Sequence, residues 1–223
     1  FALIAELFAP LSGPGGFGLM DDAAVIAPRP GFDLVVTTDT IVAGVDFFAA
    51  DPPETIAGKA LRVNLSDLAA KGAAPQSYLL NLSLPGSVER GWIEAFARGL
   101  ARDQEFYGVT LLGGDTGKTP GPLVIAITAF GVLPCGTMIR RHGARPGEAV
   151  FVTGTIGDSG GGLALCRGEG ETLASAHRDR LLARYHTPDP RVFFGQRMRG
   201  IASSAVDVSD GLIADLGHIA DAS

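Results

Sequence analysis

Apolar residues along this chain follow two alternating periods, separated by turns rich in glycine and proline. Short runs rich in Val, Ile and Leu are typical of buried strands, whereas longer stretches with apolar residues every three or four positions are typical of helices. The alternation predicts an α/β protein with mixed sheets. The predicted strands span residues 33–38, 77–84, 109–112, 123–133, 149–153 and 205–208.

Two helices are predicted from their end signals and their periodicity. Pro53 opens the first and Gly72 closes it, in keeping with the preference for proline in the first helical turn and glycine after the last. The second should bury a stripe of apolar residues four positions apart and stop by Gly108. The stripe consists of Trp92, Phe96 and Leu100.

The turn-rich stretch 134–147 is the predicted domain boundary. It divides the chain into an N-terminal domain of residues 1–136 and a C-terminal domain of residues 137–223. In the second domain, a glycine-rich turn at 154–162 should lead into a helix from Leu163, and the last predicted strand should lead into a final helix. Because the chain starts with Phe and ends inside that helix, we expect the C-terminal domain to be incomplete.

Bulk composition disfavours several classes of function. The net charge of -6 and the pI near 5.2 argue against a nucleic-acid-binding surface, which needs clustered Lys and Arg. Cys135 and Cys166 have neither metal-site spacing nor the density of a disulfide framework, which fits a reducing compartment. No apolar stretch approaches the roughly 18 residues that span a bilayer. We therefore expect a soluble, cytoplasmic protein with no nucleic-acid or membrane partner.

The candidate chemistry lies in aspartates at turns and element ends, each flanked by small residues that leave room for an anion or a hydrated ion. They are Asp22, Asp39, Asp67, Asp115 and Asp210. Mg²⁺ prefers oxygen ligands and often bridges one or two carboxylates to substrate phosphates. Each aspartate alone is also typical of a turn or a helix cap, and their spacing does not show that the five meet.

Two phosphate-binding motifs are incomplete. The GKT at 117–119 would need a glycine earlier in a Walker A loop, but Leu112 stands there and Pro120 interrupts the helix that should follow. The glycine-rich stretch 154–162 has Thr155 where a dinucleotide fingerprint has its second glycine. That turn favours close packing, although the helix after it could still receive an anion.

Seven sequence strings together resemble the thiamine-monophosphate kinase family, in the family's usual order and along nearly the whole chain. They read DDAAV, TTDTIVAGVDF, AGKALRVNLSDLAAKGA, LLGGDT, RRHGARPGE, VTGTIGDS and VDVSDGLIADLGHIADAS. This family belongs to the aminoimidazole-ribonucleotide-synthetase-like superfamily. The resemblance implies an N-terminal α/β domain that forms homodimers through its sheet, a C-terminal α/β domain, and an ATP-binding cleft without a P-loop.

The resemblance also implies a reaction, in which the γ-phosphoryl group of ATP passes to thiamine phosphate with the help of several Mg²⁺ ions. The implied Mg²⁺ ligands are Asp22, Thr37, Thr38, Asp39, Asp67, Asp115, Asp207 and Asp210. The implied nucleotide contacts are Gly114, Asp115, Arg141 and Ser209. Catalysis would depend on Asp115, Arg141 and Asp210, and Asp46 would lie near the substrate.

The chain departs from the family pattern at four positions, none of which is an implied metal ligand. Asp46 stands for the usual His, Met20 for Gly, Lys71 for Met and Gly117 for Thr. A carboxylate at position 46 should weaken binding of an anionic substrate unless a metal ion bridges the two. Two alternatives stay open: a catalytically silent nucleotide-binding relative, and another ATP-dependent member of the superfamily.

Overall fold

A mixed four-stranded sheet forms the framework of the chain, whose computed structural model describes residues 2–169 and 173–223. The strands are β1 (Phe32–Val42), β2 (Ala74–Pro85), β3 (Thr110–Thr119) and β4 (Val124–Pro134). Their order across the sheet is β1-β4-β2-β3, with β4 antiparallel to both of its neighbours and β3 parallel to β2. The predicted α/β class with a mixed sheet is confirmed.

The helices in the described residues are α1 (Pro53–Ala70), α2 (Arg90–Tyr107), α3 (Asp158–Cys166), α4 (Ser175–His186), α5 (Val192–Arg197) and α6 (Leu212–Ala222). Three short helical turns precede β1, at Ile4–Phe8, Ala9–Leu11 and Pro14–Leu19. Gly72 and Gly108 follow the first two helices with φ of 74° and 69°, as predicted for glycine at a helix end. None of the helices described is long and apolar enough to cross a membrane.

Helix α1 packs on one face of the sheet, with α2 beside it. Ile125 and Ile127 of β4 share a buried core with Leu65 of α1 and with the predicted stripe of α2. Phe96 and Leu100 of that stripe are fully buried and Trp92 packs at the edge of the core. On the opposite face Leu34 and Val36 of β1 are exposed, so the described part of the chain leaves this side of the sheet open at β1.

The strands predicted at 149–153 and 205–208 do not form in the described residues, and those two predictions are wrong there. A strand needs backbone hydrogen bonds from a neighbouring strand, and the described part of the chain places none beside these segments. Phe151 is 89% exposed as a result. The N–H of Ala205 bonds instead to the carbonyl oxygen of Arg140 at 3.0 Å. The boundary after residue 136 stays a prediction.

Helix α3 begins at Asp158 rather than at Leu163, so the expected glycine-rich turn is largely helical. The glycines serve the contact between α3 and α4. A Cβ at Gly162 would lie 2.2 Å from the carbonyl oxygen of Leu181 and 2.6 Å from the Cβ of Tyr185. Two helices approach this closely only where one of them lacks a side chain.

Gly162→Ala should destabilise the full-length protein by about 2 kcal/mol, because the added methyl group forces α3 away from α4. The matched control is Gly160→Ala, since nothing lies within 4 Å of the Cβ that it adds. That variant should be neutral or stabilising, because alanine favours a helix over glycine by up to about 1 kcal/mol. Urea denaturation followed by circular dichroism measures both, and equal effects would contradict the packing explanation.

Candidate active site

Strand β1 and helix α1 bring the first predicted site residues together. Thr37 and Asp39 lie on the sheet face that α1 covers, as do their buried neighbours Val35 and Ile41. The Thr37 hydroxyl donates a hydrogen bond of 2.5 Å to Oδ2 of Asp67, near the C-terminal end of α1. This contact fixes the Asp67 carboxylate against β1.

Asp207 joins these residues from the segment before α6. Burial raises the pKa of Asp207, and the charge of Asp67 raises it further. Burial also raises the pKa of Asp39, followed by the charges of Asp67, Asp207 and Asp46. We call Asp39, Asp67 and Asp207 the carboxylate cluster. Half-buried carboxylates that repel one another offer an oxygen-rich, negatively charged donor set, which fits a divalent cation such as Mg²⁺.

A buried carboxylate that sequence reasoning missed holds the loop before α6. Asp215 is only 3% exposed, and its Oδ2 accepts hydrogen bonds from the backbone N–H groups of the three residues before the helix. These residues are Ser209, Asp210 and Gly211, at 2.9, 3.2 and 3.2 Å. The available signal was its place in the first turn of α6, where backbone N–H groups lack partners. Asp215 thus positions the predicted residues Ser209 and Asp210.

Within the described residues, a close group of three acidic and histidine side chains also lies at this loop. One oxygen or nitrogen from each of Asp210, Asp215 and His218 lies within 4.8 Å of the others. The hydrogen bonds that Asp215 accepts account for its position without an ion. The carboxylate cluster is looser, because its three carboxylates do not form a group within that limit.

Strand β3 carries Gly114 and Asp115 at the opposite edge of the sheet. Gly114 has φ of 148°, and a Cβ there would lie 1.8 Å from the carbonyl oxygen of Leu80, so no other residue fits. Asp115 is exposed, and its N–H bonds to Oδ1 of the equally exposed Asn81 at 2.9 Å. Asp39 and Gly114 lie at the two ends of one row of residues that pair across the four strands. Three spacings of about 4.8 Å between neighbouring strands put them about 14 Å apart. One chain therefore does not bring Asp115 to the carboxylate cluster.

Two further predicted ligands lie apart from the cluster. Successive strand residues alternate between faces, so the Thr38 hydroxyl lies on the face away from α1. There it donates to the carbonyl oxygen of Ile127 at 3.1 Å and accepts from the Thr128 hydroxyl at 3.2 Å. Asp22 is exposed in a bend, and among the described contacts none joins its side chain to the cluster.

Asp46 directs its carboxylate back to its own turn. Its Oδ2 accepts a hydrogen bond from the Val42 N–H at 2.8 Å, and its carbonyl oxygen accepts one from Nζ of Lys59 at 3.0 Å. The same Lys59 nitrogen lies 3.7 Å from the ring centroid of Tyr185 in α4. The turn after β1 is therefore tied to both α1 and α4. Because the Asp46 charge helps to raise the pKa of Asp39, this turn lies beside the carboxylate cluster.

Arg141 lies on an exposed stretch that is fastened to the segment leading to Asp207. The Ser204 hydroxyl donates to the carbonyl oxygen of Arg141, one residue before the Ala205 contact described above. Burial and then the charge of Arg141 lower the pKa of Lys71, whereas the charge of Asp207 opposes that lowering. Arg141 and Asp207 therefore both lie near Lys71, and from there the Arg141 guanidinium can bind an anion held near the cluster.

Known proteins are similar to this chain in sequence and in fold. Residues 20–133 match the family described as AIR synthase related protein, N-terminal domain. The thiamine-monophosphate kinase of Caulobacter vibrioides is 48% identical over 225 residues, which are 100% of this chain and 63% of that protein. The thiamine-monophosphate kinase of Escherichia coli K12 is 42% identical over 226 residues, which cover 100% of this chain and 69% of that protein. A solved structure described as AaThiL complexed with AMPPCP and TMP has a TM-score of 0.81 at 34% identity, covering 93% of this chain and 70% of that one. The chain thus spans less than two thirds of the Caulobacter relative.

Without divalent cations, Asp39→Asn should raise the Tm of the full-length protein by a few degrees at neutral pH, because it removes a charge that burial and then the neighbouring carboxylates destabilise. A folded-state pKa above the unfolded value means that ionisation of Asp39 costs stability. The advantage of the variant should therefore shrink as the pH falls toward about 4, where the carboxyl group is increasingly protonated in both states.

Thermal unfolding in a chelator across this pH range is the measurement. Asp179→Asn is the control, because Asp179 is exposed on α4 away from the cluster, and it should leave Tm unchanged. An Asp39→Asn variant that is no more stable than the parent protein would contradict the repulsion.

Proposed function

The chain belongs to the thiamine-monophosphate kinase family, and on that premise we propose that it carries the metal- and nucleotide-binding face of such a kinase. The enzyme would transfer the γ-phosphoryl group of ATP to thiamine phosphate, giving thiamine diphosphate and ADP. The observation that carries the proposal is the convergence of Asp39, Asp67 and Asp207. Burial and the charge of Asp67 raise the pKa of both Asp39 and Asp207. Such a cluster is costly without a cation and useful with one.

The carboxylate cluster would hold Mg²⁺, and Asp210 would hold a further ion from the loop that Asp215 fixes. Thr37 would keep one oxygen of Asp67 oriented by its hydrogen bond. Thr38 would contribute its main-chain oxygen, since its hydroxyl is engaged on the other face. Asp22 would approach from its exposed bend. Bound Mg²⁺ supplies neutralisation of the phosphate charges that otherwise keep donor and acceptor apart.

Nucleotide recognition would come from Arg141, Ser209, Gly114 and Asp115. The Arg141 guanidinium can form two parallel hydrogen bonds to phosphate oxygens, which a lysine cannot do. Gly114 leaves backbone uncovered for close approach of a phosphate. Phosphoryl transfer demands positioning and charge neutralisation rather than covalent help from side chains. Catalytic roles for Asp115, Arg141 and Asp210 fit that demand.

We propose a homodimer in which the exposed sheet face of one copy meets that of another. Leu34 and Val36 give this face apolar surface that a single chain leaves in water. The separation of Asp115 from the carboxylate cluster supports the same arrangement. Because β1 is an edge strand, a second copy on the open face can supply its Asp115 to the cluster around that edge. Each site would then combine the cluster of one copy with Asp115 of the other.

We also propose that the enzyme acts in the cytoplasm on small molecules, without nucleic-acid or membrane partners. Cys135 and Cys166 are free thiols, which suits a reducing compartment. The net charge of -6 disfavours a phosphate backbone as a partner.

Asp67→Asn should lower the rate of thiamine diphosphate formation by about 100-fold or more, because it removes charge that the metal needs but almost no volume. Asp115→Asn should do the same. The assay is conversion of thiamine phosphate by the full-length protein with ATP, with and without Mg²⁺. The exposed Asp179→Asn serves as the control and should keep full activity. Near-normal turnover in either site variant would overturn its metal role, and ATP binding without any product would favour a silent relative.

Heterodimers of one Asp67→Asn copy and one Asp115→Asn copy should recover about half of the parent activity. In a composite site, one of the two sites then receives both parent residues, while the other receives neither. If each chain built its site alone, both sites of the heterodimer would be defective. Differently tagged copies purified in tandem provide the sample, and no recovery would exclude the composite site.

A further inference from the structure

Lys71 ties the end of α1 to two segments of the C-terminal half. Its Nζ donates a hydrogen bond of 3.0 Å to the carbonyl oxygen of Ala205. Its own carbonyl oxygen accepts a hydrogen bond of 3.2 Å from the N–H of Ile139. The side chain is half-buried between these contacts. A long, flexible side chain is thereby held in one place.

That place is next to two members of the carboxylate cluster. Asp67 precedes Lys71 by four residues at the end of α1, a spacing that puts the two on the same side of the helix. Asp207 follows by two residues the carbonyl group that Lys71 binds. Burial, and then the charge of Arg141, lower the pKa of Lys71, and the charges of Asp207 and Asp67 oppose that lowering. The ammonium group therefore lies within the electrostatic field of the cluster.

We propose that Lys71 supplies a fixed positive charge to the carboxylate cluster and thereby weakens the hold of the cluster on a divalent cation. The inference rests on the metal site of the proposed function. A permanent cation near Asp67 and Asp207 offsets part of their negative charge before any metal arrives, and it repels an incoming divalent ion. The cluster is then easier to hold together when empty and releases its ion more readily.

The competing explanation is that Lys71 is only a mechanical tie through its bond to Ala205. Lys71→Met removes the charge but keeps an unbranched apolar stem, and it restores the residue usual in the family pattern. Lys71→Arg keeps both the charge and a donor. Lys118→Met is the matched control, because it removes the same charge from an exposed position on β3.

The first test is calorimetric titration of the full-length proteins with Mn²⁺ in the absence of nucleotide and thiamine phosphate. Lys71→Met should bind Mn²⁺ several-fold more tightly than the parent protein, while Lys71→Arg and Lys118→Met should match the parent. Unchanged or weaker binding by Lys71→Met would overturn the inference. If the parent protein bound no Mn²⁺, both the proposed metal site and the inference about Lys71 would be wrong. If the parent bound Mn²⁺ but Lys71→Met bound it no more tightly, only the role of Lys71 would be wrong.

The second test separates charge from mechanical support. In a chelator, Lys71→Met should have a lower Tm than the parent protein, because the carboxylates repel one another without their internal cation. Saturating Mg²⁺ should close most of that gap, since an ion replaces the missing charge. A gap of the same size with and without Mg²⁺ would identify a mechanical tie and overturn the proposal.

Discussion

The packing of α1 on the sheet is the interaction on which the site depends. Leu61, Leu65 and Leu68 of this helix are fully buried, and each such side chain contributes about 1.5–3 kcal/mol of transfer free energy. With these leucines buried, Asp67 on the same helix faces β1, where the Thr37 hydroxyl donates a hydrogen bond to it. The apolar contacts thus stabilise an arrangement that the charges oppose, since Asp39 and Asp207 carry raised pKa values in it.

Local signals predicted the N-terminal half of the fold well. The ends of helices α1 and α2 are marked in the sequence by Pro53, Gly72 and Gly108. The predicted bounds of the four strands agree with the structure within a few residues, except that β3 is longer than predicted. The errors came where structure depends on distant partners. The segment 149–153 has the composition of a strand but no described neighbour to pair with. The glycines of α3 locally favour a turn, and only their contact with α4, a separate helix, explains why they are helical.

The site could be predicted as a list of residues but not as an arrangement. Asp39, Asp67 and Asp207 come together because α1 crosses β1 and a later segment docks on α1, and no spacing rule states this. Strand alternation alone, however, already separates the Thr38 side chain from that of Asp39. The position of Asp115 at the far edge follows only from the order and register of the strands, which the sequence does not state. The sequence does not distinguish Asp215 from an ordinary helix-capping acid, because both lie in the first turn of a helix.

The glycine run of α3 also bears on the order in which the chain acquires its structure. Each glycine costs a helix about 1 kcal/mol relative to alanine, so a nine-residue helix containing three of them has little stability of its own. Its contact with α4 must supply the rest. During synthesis, residues 158–166 leave the ribosome before residues 175–186 do. We therefore expect α3 to remain unformed until α4 has been made, and the two helices to fold as a unit.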